Sequence, residues 1–275
     1  MNTTTHGFDR NISVGNLNLS YDDVGQGDVP VIFLHGFPFS KGMWRGQLAY
    51  LGSTCRAIAC DIRGFGRSTD ESSALSIDLF ADDLIAFMDT LAIDKAIICG
   101  LSMGGFIALN ALSKHPERFT ALILANTQCI ADTPEVKAKR YATIKGIEID
   151  GAAEFNEKFV TSVFHPYSLA QKVQLVDHLR SVVFANSDHI INQGLTALAE
   201  RSETCSSLAD ISIPTLIISG RADVVTPLIQ SESMHRDIKG SILHVIEDAG
   251  HVSNLEQPEE FNQQLLTFIS ARLAH

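Results

Sequence analysis

Several absences narrow the field before any motif is read. The five cysteines, Cys55, Cys60, Cys99, Cys129 and Cys205, are scattered, odd in number and free of any C-x-x-C pair. Neither a disulfide framework nor a zinc site is expected from them. No run approaches the roughly 20 apolar residues that a membrane-spanning helix needs, and residues 1–15 are polar, without an apolar signal segment. Basic side chains are in deficit, 21 against 32 acidic ones, for a formal net charge of −11. Such a surface repels polyphosphate, which argues against nucleic acid as a partner. No H-E-x-x-H or similar spacing is present, and no metal or organic cofactor is expected. Neither repeats nor low-complexity tracts occur. The expectation is a soluble cytoplasmic protein of a reducing compartment with no membrane partner. The N-x-S/T triplets at Asn2, Asn11 and Asn18 then carry no glycosylation.

What is present is an apolar core. Hydrophobic residues make up 45% of 275 positions, enough for one large domain. Short apolar runs alternate with amphipathic stretches, as in a mostly parallel sheet covered by helices. Runs at 31–34, 57–60, 96–99, 121–124, 215–219 and 243–246 read as buried strands. Segment 12–21 alternates apolar and polar residues around Gly15-Asn16, the pattern of an edge hairpin. Together these give an α/β fold with eight strands. Helices are expected at 42–51, 79–91, 103–114, 230–238 and 261–273; the second places Leu84, Phe87, Met88 and Leu91 on one face. Residues 132–207 break the rhythm. They are charged and helix-favouring, and read as a helical cap inserted after strand six, with 1–131 and 208–275 forming the core. The sheet's carboxyl ends, where α/β proteins bind ligands, lie beneath such an insertion.

The sharpest local signal is Gly100-Leu101-Ser102-Met103-Gly104-Gly105 between a strand and a helix. A serine on so tight a turn projects its hydroxyl above the sheet, and glycines two positions either side remove the collisions the turn would create. The following helix N-terminus adds unpaired N–H groups. A serine hydroxyl needs a base. Of ten histidines, His251 lies in Asp248-Ala249-Gly250-His251 after the final strand, at the same sheet edge as Ser102. His115 stands before Pro116 at a helix end and suits capping. His165, His178 and His189 belong to the insertion and could line a pocket; His244 falls in a strand, and His6 and His275 near the termini. The imidazole in turn needs a carboxylate. Asp223, in Gly220-Arg221-Ala222-Asp223, gives the chain order Ser, Asp, His. Asp248 is too near in sequence for a relay, and Asn126 cannot carry the charge. For the oxyanion, the backbone N–H groups of Met103 and Phe37 are the expected donors, since Pro38 has none. His35 is expected to shape its loop.

His35-Gly36, Asp61-Ile62-Arg63-Gly64-Phe65-Gly66-Arg67-Ser68, the serine turn, Gly220–Asp223 and Ala249-Gly250-His251 together resemble the α/β-hydrolase superfamily. The resemblance spans nearly the whole chain and implies a triad of Ser102, Asp223 and His251, with the D-x-R-G-x-G-x-S segment a structural turn. Leu124-Ala125-Asn126-Thr127 and Gly250-His251-Val252-Ser253-Asn254-Leu255-Glu256 are similar, more narrowly, to 3-oxoadipate enol-lactonases. The insertion departs from that pattern in lacking tryptophan; Trp44 is the only one in the chain. An anionic lactone would need a cation facing the pocket, for which Lys137, Arg140 and Lys145 are candidates. The expectation is a serine hydrolase of a small-molecule ester or lactone. Perhydrolases and carbon–carbon bond hydrolases share the motifs, and a non-catalytic receptor on the same fold is a further alternative.

Overall fold

The computed structural model describes residues 7–68, 70 and 74–273. Asn2, His6 and His275 lie outside them. One sheet carries eight strands: β1 (Gly7–Val14), β2 (Leu17–Val24), β3 (Val31–Leu34), β4 (Ala57–Cys60), β5 (Ala96–Leu101), β6 (Phe119–Ala125), β7 (Thr215–Gly220) and β8 (Ile242–Ile246). Their spatial order is β1-β2-β4-β3-β5-β6-β7-β8. The β1–β2 hairpin turns at Gly15-Asn16 with Val14 opposite Leu17, and β2 meets β4 antiparallel. Every later pairing is parallel.

The apolar runs are continuous because both faces of the sheet are covered. Side chains alternate along a strand, so Ile32, Leu34, Ile58, Ile98, Leu122 and Ile217 enter one core layer. Their neighbours Val31, Phe33, Ala57, Ile97, Ile123 and Ile218 enter the other. Helices α2 (Ile77–Thr90) and α3 (Met103–Lys114) pack into the first layer. In α2 the stripe is wider than four residues: Phe80, Ala81, Leu84, Ile85, Phe87 and Met88 are all buried, while Leu91 falls just past the last turn. Helices α1 (Arg45–Leu51) and, late in the chain, α11 (Pro258–Leu273) close the second layer. There Trp44 is fully buried between Phe33 and Phe261, with ring centroids 5.0 and 6.1 Å away.

Between β6 and β7 the chain leaves the sheet for five helices, α4 (Pro134–Asp150), α5 (Ala153–Val163), α6 (Pro166–Gln171), α7 (Val173–Phe184) and α8 (Asp188–Glu200). No strand interrupts them. Three begin with a side-chain cap: Thr133 on Val136 N–H and Ser187 on Ile190 N–H are of the usual hydroxyl type, and His165 caps Tyr167 N–H through its imidazole. Helix α9 (Leu228–Asp237) follows β7, and the short α10 (Ser253–Glu256) follows β8.

The cysteines require a correction. Cys55, Cys60 and Cys99 are buried thiols, and burial pushes Cys60 up to about 12. Cys129 and Cys205, expected to be unpaired, form a disulfide across 76 residues of sequence, with Cα atoms 4.9 Å apart. The cause is topological. Helices α4 and α8 pack against each other, with Lys137 near the start of one paired to Glu200 at the end of the other, so the segments that enter and leave the five-helix stretch lie side by side. Thr204 N–H donates to Cys129 O at 2.8 Å across the same junction. Spacing along the chain carries no trace of that proximity. Among the described residues, no helix is long and apolar enough to cross a membrane.

Candidate active site

The loops that follow β3, β5, β6, β7 and β8 meet at one edge of the sheet, where the parallel strands end. Ser102 ends β5 and opens α3. Its backbone is left-handed, φ 54° and ψ −115°, a conformation held by the packing around it. A Cβ on Gly100 would lie 2.2 Å from Gly104 O, and one on Gly104 would lie 2.3 Å from Leu34 O, so the turn closes only with glycine at both places. Ser102 is buried but for 8% of its surface. Thr127 Oγ donates to Ser102 O at 2.8 Å and ties the turn to the neighbouring loop. Met103 N–H stands at the first position of α3, where no intrahelical carbonyl can reach it.

Asp223 and His251 are brought together by β7 and β8. His251 Nδ1 lies 2.8 Å from Asp223 Oδ2, and both side chains are buried. Asp223 is saturated: Oδ1 accepts the N–H groups of Val225 and Thr226 at 2.8 and 2.9 Å. Its Oδ2 also takes the Thr226 hydroxyl at 2.8 Å and the Asn126 amide at 2.9 Å. Burial works to raise this carboxyl, but the His251 charge and these donors outweigh it and hold it below the ordinary carboxylate range. The pairing of Nδ1 leaves His251 Nε2 for another partner, and Nε2 is buried without one among the described residues. No hydrogen bond joins it to Ser102. Asp248 is exposed, and its carbonyl receives Gln257 Nε2 at 3.2 Å, away from the imidazole.

Two contributors were not legible as such. Asn126 enters the sequence reading as a failed carboxylate and as part of Leu124-Ala125-Asn126-Thr127, with no contact assigned to it. Here its Nδ2 donates to Asp223 and to Gly250 O at 3.1 Å, while its Oδ1 accepts Ser253 Oγ at 2.5 Å. Its place one residue beyond β6, with Asn126 N–H on Ile218 O of the adjacent strand, was the available signal. Thr226 follows Asp223 by three, the spacing of a carboxylate that caps its own turn.

His35 shapes its loop, as expected. Its Nδ1 lies 2.8 Å from Gly36 O and its Nε2 accepts Ile62 N–H at 2.9 Å. Burial pushes its pKa down, so the ring is neutral. In the D-x-R-G segment, Asp61 takes Lys41 N–H and Arg67 N–H at 2.7 and 3.0 Å, the contacts of a structural turn. His244 lies 2.7 Å from Glu260 at the surface.

A cavity of about 160 Å³ opens beside Ser102. Phe37, Phe106, Phe155, Phe159, Leu195 and Leu198 make its apolar wall, and Phe37 sits edge-on to Phe65 and Phe159 at 5.9 and 6.0 Å. Thr226 lines it too, linking the Asp223–His251 pair to the same space. Of the three cations considered, Arg140 faces the cavity. Lys137 pairs with Glu200 at 2.6 Å, and Lys145 is exposed. Arg140 Nε donates to Asp132 at 2.5 Å, and Asp132 also holds the buried Arg201 at 2.8 Å. One carboxylate is thus shared by two guanidiniums, of which Arg140 lines the cavity. His165, His178 and His189 are not among its lining residues. Among the described residues, no group of three or more His, Cys, Asp or Glu is placed to hold a metal ion.

Comparison with known proteins places the chain in a family. The chain is 32% identical over 256 residues to 3-oxoadipate enol-lactonase 2 of Acinetobacter baylyi, covering 93% of this chain and 94% of that one. It is 29% identical to a 2-hydroxy-6-oxononadienedioate/2-hydroxy-6-oxononatrienedioate hydrolase of Paraburkholderia phymatum, covering 92% and 91%. A thermophilic esterase from Thermogutta terrifontis superposes with a TM-score of 0.90 at 29% identity, over 96% of this chain and 98% of that one. The family model described as alpha/beta hydrolase fold matches residues 29–258. The eight-stranded, mostly parallel sheet and this match agree: this chain belongs to the α/β hydrolase fold family.

Proposed function

We propose that this protein is a serine hydrolase that cleaves a small carboxylic ester or lactone through an acyl-enzyme on Ser102. The observation that carries the reading is the buried Asp223–His251 pair, 2.8 Å apart, whose outer nitrogen has no partner beside a cavity that Ser102 lines. Ser102 Oγ attacks the carbonyl carbon while its proton passes to His251 Nε2. Asp223 fixes the tautomer and stabilises the imidazolium. The N–H groups of Met103 and Phe37 hold the oxyanion. His251 returns the proton to the leaving oxygen as the C–O bond breaks, then takes one from water as water attacks the acyl carbon; collapse frees the acid and restores Ser102. The missing Ser102–His251 hydrogen bond is compatible with this, because such bonds often tighten only once substrate is bound.

Residues 132–207 act in this reading as the cap. They supply Arg140, Phe155, Phe159, Leu195 and Leu198 to the cavity, whose size fits a small acyl group. The enol-lactonase relative supports a lactone, and Arg140 would meet a carboxylate on it. The Cys129–Cys205 disulfide weighs against the cytoplasmic expectation, since such bonds persist in oxidising compartments. Turnover of p-nitrophenyl acetate and of 3-oxoadipate enol-lactone tests the proposal. Hydrolysis of either, lost in Ser102→Ala with the fold intact, is expected; turnover undiminished in that variant would refute it.

A further inference from the structure

Glu256 is a fully buried carboxylate five residues after His251, outside the proton path just described. Both of its oxygens are engaged, and by backbone rather than by a cationic side chain. Oε1 accepts Gly250 N–H at 2.6 Å, in the histidine's own loop. Oε2 accepts His165 N–H at 2.7 Å, at the junction of α5 and α6 in the cap. Charge-assisted bonds of this length are about twice as strong as neutral ones, and here they join the histidine loop to the α5–α6 junction.

The rest of the junction is equally close. His251 N–H donates to Val163 O of the cap at 2.8 Å. A Cβ on Gly250 would lie 2.8 Å from both His165 N and Val163 O, so the two backbones touch. Lys172 Nζ, also from the cap, donates to the Glu256 carbonyl. From the core side, Asn126 holds Gly250 O. The peptide that carries the imidazole is thus clamped between a core amide and a cap backbone, with the Glu256 carboxylate spanning the seam.

We propose that Glu256 is a positioning residue for His251: its carboxylate latches the cap to the histidine loop, so that the cap and the imidazole move as one body over Ser102. The latch rests on the reading of His251 as the base. A cap fastened in this way cannot swing free at its α5–α6 junction without withdrawing the base.

Glu256→Gln keeps the volume and one acceptor but turns an NH2 group toward one of the two N–H donors. With p-nitrophenyl acetate, kcat is expected to fall about tenfold or more with KM within about twofold, the signature of an interaction that serves the transition state. The amides of Gly250 and His165 should exchange faster in the folded variant. A second variant approaches from the cap. His165→Pro replaces the cap-side N–H with a ring carbon, which removes the donor and pushes Glu256 Oε2 away, while φ −62° at 165 after an extended Phe164 (φ −101°, ψ 149°) suits the proline backbone. His165→Ala, which loses the same imidazole but keeps the N–H, is its comparator; kcat of the proline variant should lie about tenfold below it, again at constant KM. Wild-type kcat in Glu256→Gln, or a raised KM with kcat unchanged, overturns the latch, as does equality of the two His165 variants. An inactive His251→Ala alongside those results leaves the base assignment standing. An active His251→Ala removes the base assignment instead.

Discussion

Asn126 Nδ2 donates to Asp223 Oδ2 at 2.9 Å, from the end of one central strand to the end of the next. A neutral amide thereby helps keep a buried carboxylate ionised while His251 occupies the same oxygen. In Asn126→Ala the carboxylate loses a donor and its pKa rises toward the ordinary value. A depressed carboxyl contributes stability that is present above its unfolded pKa of about 3.9 and is lost as pH falls through the folded one. The variant should therefore be less stable at pH 7, by about 1–3 kcal/mol for a lost bond to a charged group. Its kcat for p-nitrophenyl acetate should fall about tenfold. Urea denaturation with parallel kinetics reads both.

Asp223→Asn is the harsher change. It keeps the shape but offers His251 an amide, which favours the wrong tautomer. Turnover should drop by about 10⁴-fold, the loss recorded for the corresponding change in a serine protease. Steady-state kinetics with circular dichroism as a folding control measures it.

Arg140 allows a test of substrate charge. In Arg140→Gln, kcat/KM for an ester bearing a free carboxylate should fall about 10- to 100-fold, the worth of one bond to a charged group. The neutral methyl ester of the same acid should change by less than about threefold. Paired kinetics on the two esters supplies the ratio.

The disulfide ties together the two ends of the five-helix stretch, across 76 residues. Chain entropy alone assigns such a closure about 4.5 kcal/mol, an upper figure for this type of bond. Cys205→Ser, or reduction, should lower the denaturation midpoint accordingly. Thiol titration of the denatured, unreduced protein should find the three free cysteines, Cys55, Cys60 and Cys99.

His35 couples the fold to acid. Burial holds its pKa below the ordinary value of 6.5. The unfolded chain therefore binds a proton that the folded chain refuses, and stability falls as pH drops below about 6.5 until the folded ring itself titrates. His35→Gln should flatten that acid-side slope. Thermal melts between pH 7 and pH 4.5 compare the two proteins.

Much of this was written in local pattern. A buried parallel strand is a short apolar run, and 31–34 and 57–60 were read with their observed ends, as was α3. The serine turn was legible because its glycines are dictated by contacts within a few residues and with β3. Strand ends at β5 and β6 ran one or two residues longer than the runs, because Gly100, Leu101, Phe119 and Ala125 still pair across the parallel ladder. What stayed hidden depended on distance in sequence. Cys129 finds Cys205, Asn126 finds Asp223 at 97 residues, and Glu256 finds His165 at 91. Strand order brings Asn126 to Asp223, and the packing of helices α4–α8 sets the other two pairs; no spacing in the chain records either.

The central claim is that Ser102 carries the acyl group, and intact-protein mass spectrometry after brief exposure to a fluorophosphonate tests it most directly. The expected result is a single adduct, mapped to the peptide containing Ser102, that is absent from Ser102→Ala and forms far more slowly in His251→Ala. An adduct of equal extent in Ser102→Ala, or one mapped to another serine, would contradict the account.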